Sequence, residues 1–545
     1  MSVLREVQIW SSFLRGLRDY LRTTITVAEA EAVVAERLEN RESNFLSLAE
    51  RGIYNHPRSP YLPMLELAGC ELGDLRAMVN GKGLEVTLSA LRDAGVHVSF
   101  EEYKGRQPIV RDGKEIPVDI SDFDNPFVGR FYEGETGGTT GPATRVLIDL
   151  DHLATQAAVL MLGFQANDLL DRPTAIWLDI LPDVAGIMNV LRQMHFGLTP
   201  AKWFSPNMIQ HSTGSQALKF RAATQSMVAL SMISGKRIPR PEHVALDEPE
   251  KIADWMATTL AAEGSCTLYG HVSKALRVAV AARSAGLDLT GTTFMAGGEP
   301  PTPTKVREIT ASGARWVPIY PFSEYGTVGV GCANPVDESD VHVLHDGLAL
   351  IQYPRRIPGT EIDVEAFNFT TLLPSAPKLF LNVESDDYGT LEERSCGCAL
   401  EANGFVHHLR GIRSFSKLTG EGGTLIGSEM IRILEEVLPV QFGGSSLDYQ
   451  LMEEEEADGF TRLSLLVHPR LVIEDEQAII EAVHTALEHK NAGPGRGGLA
   501  AEMTRNIWRQ AKTLRVKRIP PKVTGHGKMM PLHVERNRPD DVSNA

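Results

Sequence analysis

From Val146 onward, short apolar runs alternate with longer stretches of helical periodicity. This alternation narrows the architectures open to the chain more than any other feature. Residues 175–181 read as a strand and 186–196 as a helix; 266–269 read as a strand and 272–285 as a helix. Residues 292–296, 302–312 and 316–320 continue the series as strand, helix and strand. Strands that alternate with helices imply α/β layers on a substantially parallel sheet, because each parallel neighbour needs a crossover. Residues 1–110 interleave charged and apolar positions at helical spacing and are expected to be mainly helical.

The pattern changes near Val341, where residues 341–353, 361–371 and 378–383 are strand-rich with few helices between, suggesting a smaller β unit appended to the α/β body. Beyond about residue 425 it changes again, into a helix at 427–437, strands at 440–452 and 461–468, and a helix at 473–489. That is a small α+β domain. The acidic run Glu453 to Glu456 reads most simply as a solvated turn.

Charge and cysteine usage exclude several classes. The net charge of -16 argues against a nucleic-acid sheath, which needs a basic face. A local anion site remains open, because backbone amides and a few Arg or Lys can build one. Five cysteines do not make a disulfide framework, and a reducing, cytoplasmic setting fits them better. No apolar run reaches the roughly 18 residues of a membrane span.

The sharpest local signal is the loop Thr136, Gly137, Gly138, Thr139, Thr140, Gly141, Pro142, followed directly by a strand-like run. Glycines let a backbone approach a ligand closely, and threonines add hydroxyls, so such a loop can wrap phosphate oxygens. It lacks the Gly-Lys-Ser/Thr of a Walker A loop.

This loop resembles the Ser/Thr-rich phosphate loop of the adenylate-forming superfamily of acyl-CoA synthetases, adenylation domains and luciferases. Five further segments follow in that family's order. Gly297-Gly298-Glu299-Pro300 is similar to the segment beside the adenine, and Tyr320-Pro321-Phe322-Ser323-Glu324 to Tyr-Gly-x-Ser/Thr-Glu. Asp386-Asp387-Tyr388-Gly389 stands where the family holds the ribose hydroxyls, with Asp387 favoured and Asp386 an alternative. Arg413, with Gly422 beyond it, resembles the interdomain hinge motif, and Thr524-Gly525-His526-Gly527-Lys528 the turn that carries a catalytic lysine. The helical N-terminus, the Cys-x-Cys and the short C-terminal domain are most similar to the phenylacetate-CoA ligase branch. Pro142 and Ala143 depart from the family's Lys and Pro, Pro321 from a glycine, and Phe415 from an aspartate near the hinge.

The resemblance implies a large layered α/β domain with a β-rich subdomain and a small mobile α+β domain. The divisions expected are a helical region at 1–110, an ATP- and acid-binding core at 111–412, a hinge at 413–426 and the small domain at 427–545. The implied activity is activation of a carboxylic acid to acyl-AMP, then acyl transfer. Coenzyme A is the leading acceptor, with an amine or carrier-protein thiol as alternatives, and a non-catalytic binding relative as a reading of another class. Lys528 and Glu324 are the implied catalytic residues. Glu324 would contact Mg²⁺, while Gly298, Glu299, Tyr320, Ser323, Asp387 and Arg413 would join the loop around ATP. A homodimer is compatible with the chain.

Cys332, His342, Cys396 and Cys398 form a second constellation. Thiolates and an imidazole suit a closed tetrahedral zinc site, and some members of the resembled branch carry such a set, which looks structural there. His345 is an alternative to His342. His271 follows a strand and opens a helix, where the family often lines its acyl pocket; a structural role is its competing reading. Tryptophans and methionines between Trp177 and Met208 read as core.

Overall fold

The computed structural model describes residues 3–129, 131–135, 145–207, 215–356, 363–414, 417–420, 423–426, 432–456, 458–489, 508–522 and 532–534. Its frame is one sheet whose twelve strands are β1 (Thr174–Trp177), β2 (Lys202–Ser205), β3 (Pro241–His243), β4 (Cys266–His271), β5 (Thr292–Gly297), β6 (Arg315–Phe322), β7 (Gly326–Gly331), β8 (Val341–Val343), β9 (Leu348–Arg356), β10 (Asp363–Thr371), β11 (Val383–Glu393) and β12 (His407–Ser414). The spatial order is β9-β10-β11-β12-β8-β7-β6-β5-β4-β1-β2-β3. From β3 to β6 every pairing is parallel, and from β6 to β9 every pairing is antiparallel.

The parallel half has the expected crossover helices on both faces. Tyr269, Met295 and Ile319 pack with the helices Leu150–Ala166 and Ala185–His195, while Leu268, Phe294 and Ala296 pack with Glu250–Glu263 and Val272–Ser284. Trp177 and Trp203 are fully buried, as core residues should be.

The β-rich region differs from the sequence expectation. It is the antiparallel half of the same sheet, joined to the parallel half at β6 and β7, and residues 378–382 precede β11 without forming a strand. This half curls. β6 and β11 are four strand spacings apart, roughly 19 Å in a flat sheet, yet Tyr320 on β6 packs its ring 6.3 Å from Phe367 and its hydroxyl reaches Asp387. The curl encloses Tyr320, Tyr325, Val328, Phe367 and Phe369, and the N-terminal helices from Arg41 to Asp93 cover it with Phe45, Leu75, Leu88 and Leu91.

After residue 414 a smaller sheet is built from Tyr449–Glu455, Thr461–Val467, Leu514–Lys517 and Leu532–Val534, with the helix Glu476–His489. The acidic run lies in this sheet, contrary to the solvated turn expected for it. Glu454 accepts from Lys517 at 2.6 Å and also from Ser464, and Glu456 pairs with Arg515 at 2.6 Å. Basic neighbours on adjacent strands let an acidic strand exist. The small unit rests on the large one, with Gln510 accepting from the Leu246 amide and Arg277 over the Phe460 ring.

Candidate active site

Ligands of open parallel sheets bind beyond the carboxyl ends of the strands, where the topology changes. Here that is the end of β6. Pro321 sits at a β-bulge in the β6–β7 pairing, where a missing N–H costs no regular ladder bond. The Tyr320 hydroxyl donates to Asp387 Oδ2 at 2.8 Å, and Ser414 donates to Oδ1 at 2.6 Å. Burial first, then the Asp387 charge, holds the Tyr320 phenol well above its usual range, so it remains a donor. Asp386 is fully buried at φ 70 in the bulged part of β11; Asp387 is the aspartate against Tyr320. Arg413 pairs with Tyr388 across β11 and β12, one residue from Ser414.

Glu324 lies in the turn after β6, with Ser323 exposed beside it. Its carboxylate meets the Lys104 ammonium at 2.5 Å, and both side chains are mostly buried. Burial alone would raise the Glu324 pKa, but Lys104 overrides it and holds the carboxyl below its usual range. Lys378 also lowers it and bonds Asp124 at 2.5 Å. Asp124 in turn pairs with Arg145, the first residue of the strand that follows the threonine-glycine loop. The loop, Thr136 to Gly141, lies outside the described residues, but its flanks Phe131–Glu135 and Arg145–Asp149 form a hairpin that brings its base to this charge cluster.

Across the site, β4 ends at His271 and β5 at Gly297. Gly298 takes φ +76, and a Cβ there would stand 2.8 Å from His271 Nδ1, so only glycine lets the two segments close up. Glu299 accepts from the Ser273 amide at 3.1 Å and hydroxyl at 2.8 Å, placing a carboxylate at the start of the helix Val272–Ser284, where the dipole favours it. His271 is driven down to about 3 by burial and by Lys274, so it is neutral. Burial likewise raises the pKa of Glu453 in the small domain, opposed by Lys305 and Arg413.

The second constellation converges. The ligand atoms of Cys332, His342, Cys396 and Cys398 lie within 4.8 Å of one another. His342 Nδ1 donates to the Phe405 carbonyl at 2.7 Å, which fixes the tautomer and turns Nε2 to Cys398 Sγ at 3.1 Å and Cys396 Sγ at 3.6 Å. His345 is not part of the group; its Nδ1 bonds the Val343 carbonyl and its ring packs on Phe405 and His407. Next to the cluster, Arg394 donates to Asp340, and His408 Nδ1 donates to the same carboxylate at 2.7 Å.

Gly422, Phe415 and Lys528 lie outside the described residues. Lys104, Ser414 and Lys378 carry interactions at the site that the sequence reading did not name. The Ser99 cap and the short helix Phe100–Tyr103 before Lys104 were a local signal, but nothing in one sequence shows that Lys104 meets a turn 220 residues away.

No protein-family model matches the chain, and no curated protein sequence matches it. Solved structures do. A 2-hydroxyisobutyryl-CoA ligase, in complex with 2-HIB-AMP and CoA in its thioesterification state, is 16% identical over 95% of this chain and 92% of its own, with a TM-score of 0.54. An amide bond synthetase from Marinactinospora thermotolerans is 12% identical over 94% of this chain and 98% of its own; its TM-score of 0.41 adds no argument. At 16% identity the first likeness establishes the fold alone, that of this CoA ligase. No helix among the described residues is long and apolar enough to cross a membrane.

Proposed function

We propose that this chain, which carries the fold of the adenylate-forming ligases, activates a carboxylic acid with ATP and passes the acyl group to coenzyme A. The observation that carries the reading is the Tyr320–Asp387 hydrogen bond where the parallel half of the sheet ends, on the strand that leads into the Glu324 turn, in residues the sequence motifs single out. In the first step the acid's carboxylate oxygen attacks the α-phosphorus of ATP, forming a C–O–P bond and releasing pyrophosphate. In the second a thiolate attacks the acyl carbon and AMP leaves.

The division of labour comes from the family resemblance, and the Tyr320–Asp387 and Lys104–Glu324 contacts support it. Asp387, oriented by Tyr320 and Ser414, accepts from the ribose hydroxyls. The Thr136 to Gly141 loop and Lys104 take the phosphates, and Arg413 stands beside the ribose. Negative charge grows on phosphate oxygens during the attack, and preorganised donors and cations stabilise it. Glu324 is a carboxylate that already holds a cation, which fits a Mg²⁺ contact; Mg²⁺ favours one or two carboxylates with phosphates and water and would balance phosphate charge. Neutral His271 lines the acid side. Lys528 comes in on the small domain beyond residue 427, and the hinge lies at 413–426.

A zinc ion held by Cys332, His342, Cys396 and Cys398 fits the donor set and serves structure. The likeness to the phenylacetate-CoA ligase branch favours coenzyme A over an amine or a carrier protein, and the free thiols favour the cytoplasm. The experiment is ATP–pyrophosphate exchange over a panel of acids, followed by AMP release with and without coenzyme A. Acid-dependent exchange, with AMP release that needs coenzyme A, is the expected result; exchange with no acid would refute the reading.

A further inference from the structure

The helix Ala185–His195 presents one charged group to the sheet core. Arg192 is 4% exposed, and all its partners are neutral: Nε donates to the Met188 carbonyl at 3.3 Å, Nη1 to Gln156 Oε1 and Thr327 Oγ1 at 3.2 Å each, and Nη2 to Asn189 Oδ1 at 3.1 Å. No carboxylate among the described residues forms an ion pair with it. A guanidinium has five N–H groups, so one on Nη2 is left without a partner among the described residues. Burying a cation without a counter-charge costs several kcal/mol, and an apolar side chain of similar volume would pack there at less cost. Burial pulls the Arg192 pKa down. The charge therefore calls for a function other than packing.

Its place supplies one. Thr327 is the third residue after Glu324, and the Tyr269 side chain bonds Thr327. Tyr269 precedes His271 by two positions on β4, so both side chains leave the same face, roughly 7 Å apart along the strand. The Arg192 group thus lies one step deeper than His271, on the face covered by the helices Leu150–Ala166 and Ala185–His195. Gly326 makes the approach feasible: at φ +118, a Cβ there would stand 2.5 Å from Gln156 Oε1 and 3.2 Å from Arg192 Nη1.

We propose that Arg192, framed by Gln156, Asn189, Tyr269 and Thr327, is the specificity-determining group at the blind end of the acid site, and that it selects acids bearing a second carboxylate. The inference rests on the acid-activating reading above. The reacting carboxylate lies at the level of His271 and Glu324, and the distal one takes the free N–H and pairs with the guanidinium. Until then, the neutral amides and hydroxyls keep the other N–H groups satisfied.

The test is ATP–pyrophosphate exchange by the full chain with straight-chain diacids from glutarate to suberate, their monomethyl esters and length-matched mono-acids. It is run on the unaltered protein, Arg192→Lys and Arg192→Gln, with a melting curve for each. The best diacid should exceed its monomethyl ester in kcat/KM by on the order of tenfold or more, as one charge-assisted pair would give. Arg192→Gln should lose that preference while keeping activity toward mono-acids, and Arg192→Lys should keep part of it. An unaltered protein that prefers the ester or the mono-acid overturns the proposal, and so does a folded Arg192→Gln that loses all acids alike. Should Arg192→Gln not fold, the preference of the unaltered protein decides, with its melting temperature raised by the diacid and not by the ester. Exchange with mono-acids alone defeats only this inference; exchange with no acid defeats the acid-activating reading as well.

Discussion

The Tyr320 hydroxyl donates to the Asp387 carboxylate across 2.8 Å, although the two residues are 67 positions apart and lie on strands separated by three others. Removing the hydroxyl takes away one of the bonds that orient Asp387, while the Ser414 bond stays. Tyr320→Phe is expected to cost about 1 kcal/mol of stability, the usual net value of one hydrogen bond. Its larger effect should be on nucleotide: a KM for ATP raised several-fold in exchange assays, with the acid KM little changed. Asp387→Asn should raise it further. Equal changes in both KM values would show that the pair serves only the fold.

Lys104 and Glu324 form a nearly buried pair, and breaking one leaves an uncompensated charge. Lys104→Met should destabilise the protein by about 3 kcal/mol, measured by denaturant unfolding. Millimolar Mg²⁺ should restore part of that loss if Glu324 holds the cation. The double variant Lys104→Met, Glu324→Gln should be more stable than Lys104→Met alone. Glu324→Gln by itself should slow adenylation far more than it weakens ATP binding, since the charge it helps balance grows in the transition state.

Zinc analysis separates two histidines only three positions apart. Purified protein should contain about one zinc per chain, as a closed four-ligand site requires. His342→Ala and Cys398→Ser should lose it and melt at lower temperature, because metal binding is coupled to folding. His345→Ala should retain it. Zinc kept in His342→Ala, or lost in His345→Ala, would refute the ligand set.

Stability should also fall with acidity before the carboxylates titrate. Burial holds His97 and His271 down at about 3 and His152 at about 4, against 6.5 for a free imidazole. Below pH 6.5 the unfolded chain takes up protons that these folded side chains refuse, so stability drops as pH goes from 6.5 toward 4 and is fully present above 6.5. Glu324 acts later: with its pKa below the usual 4.5, its contribution is present above 4.5 and is lost as pH falls through the lowered value. Denaturant midpoints between pH 4 and 7.5 check this, and His152→Gln, if folded, should flatten the slope.

Periodicity made the parallel half legible: the strands at 266–269, 292–296 and 316–320 fall within β4, β5 and β6, since a buried strand advertises itself as an apolar run. Periodicity did not show that the β-rich stretch continues the same sheet, because pairing between β6 and β7 is a long-range register that no local pattern encodes. The Cys and His set was found because metal-ligating residue types are rare, and the choice of His342 over His345 needed the Phe405 carbonyl. Arg192 did leave a trace. It falls on the helix face of Met188 and Asn189, where an apolar residue belongs, and a charge at such a position signals either an error in the helix reading or a site.

The curl of the antiparallel half bears on how substrates reach the site. Tyr320 and Asp387 belong to opposite walls of one hydrogen-bonded surface, so those walls cannot part like jaws without flattening the sheet and tearing aromatic contacts such as Phe322 on Phe369. Such a trough is stiff crosswise. Its width is set when the chain folds, and a ligand entering finds it already cut to size. Under the proposed function, opening and closing are then left to the chain beyond residue 414 and not to these walls.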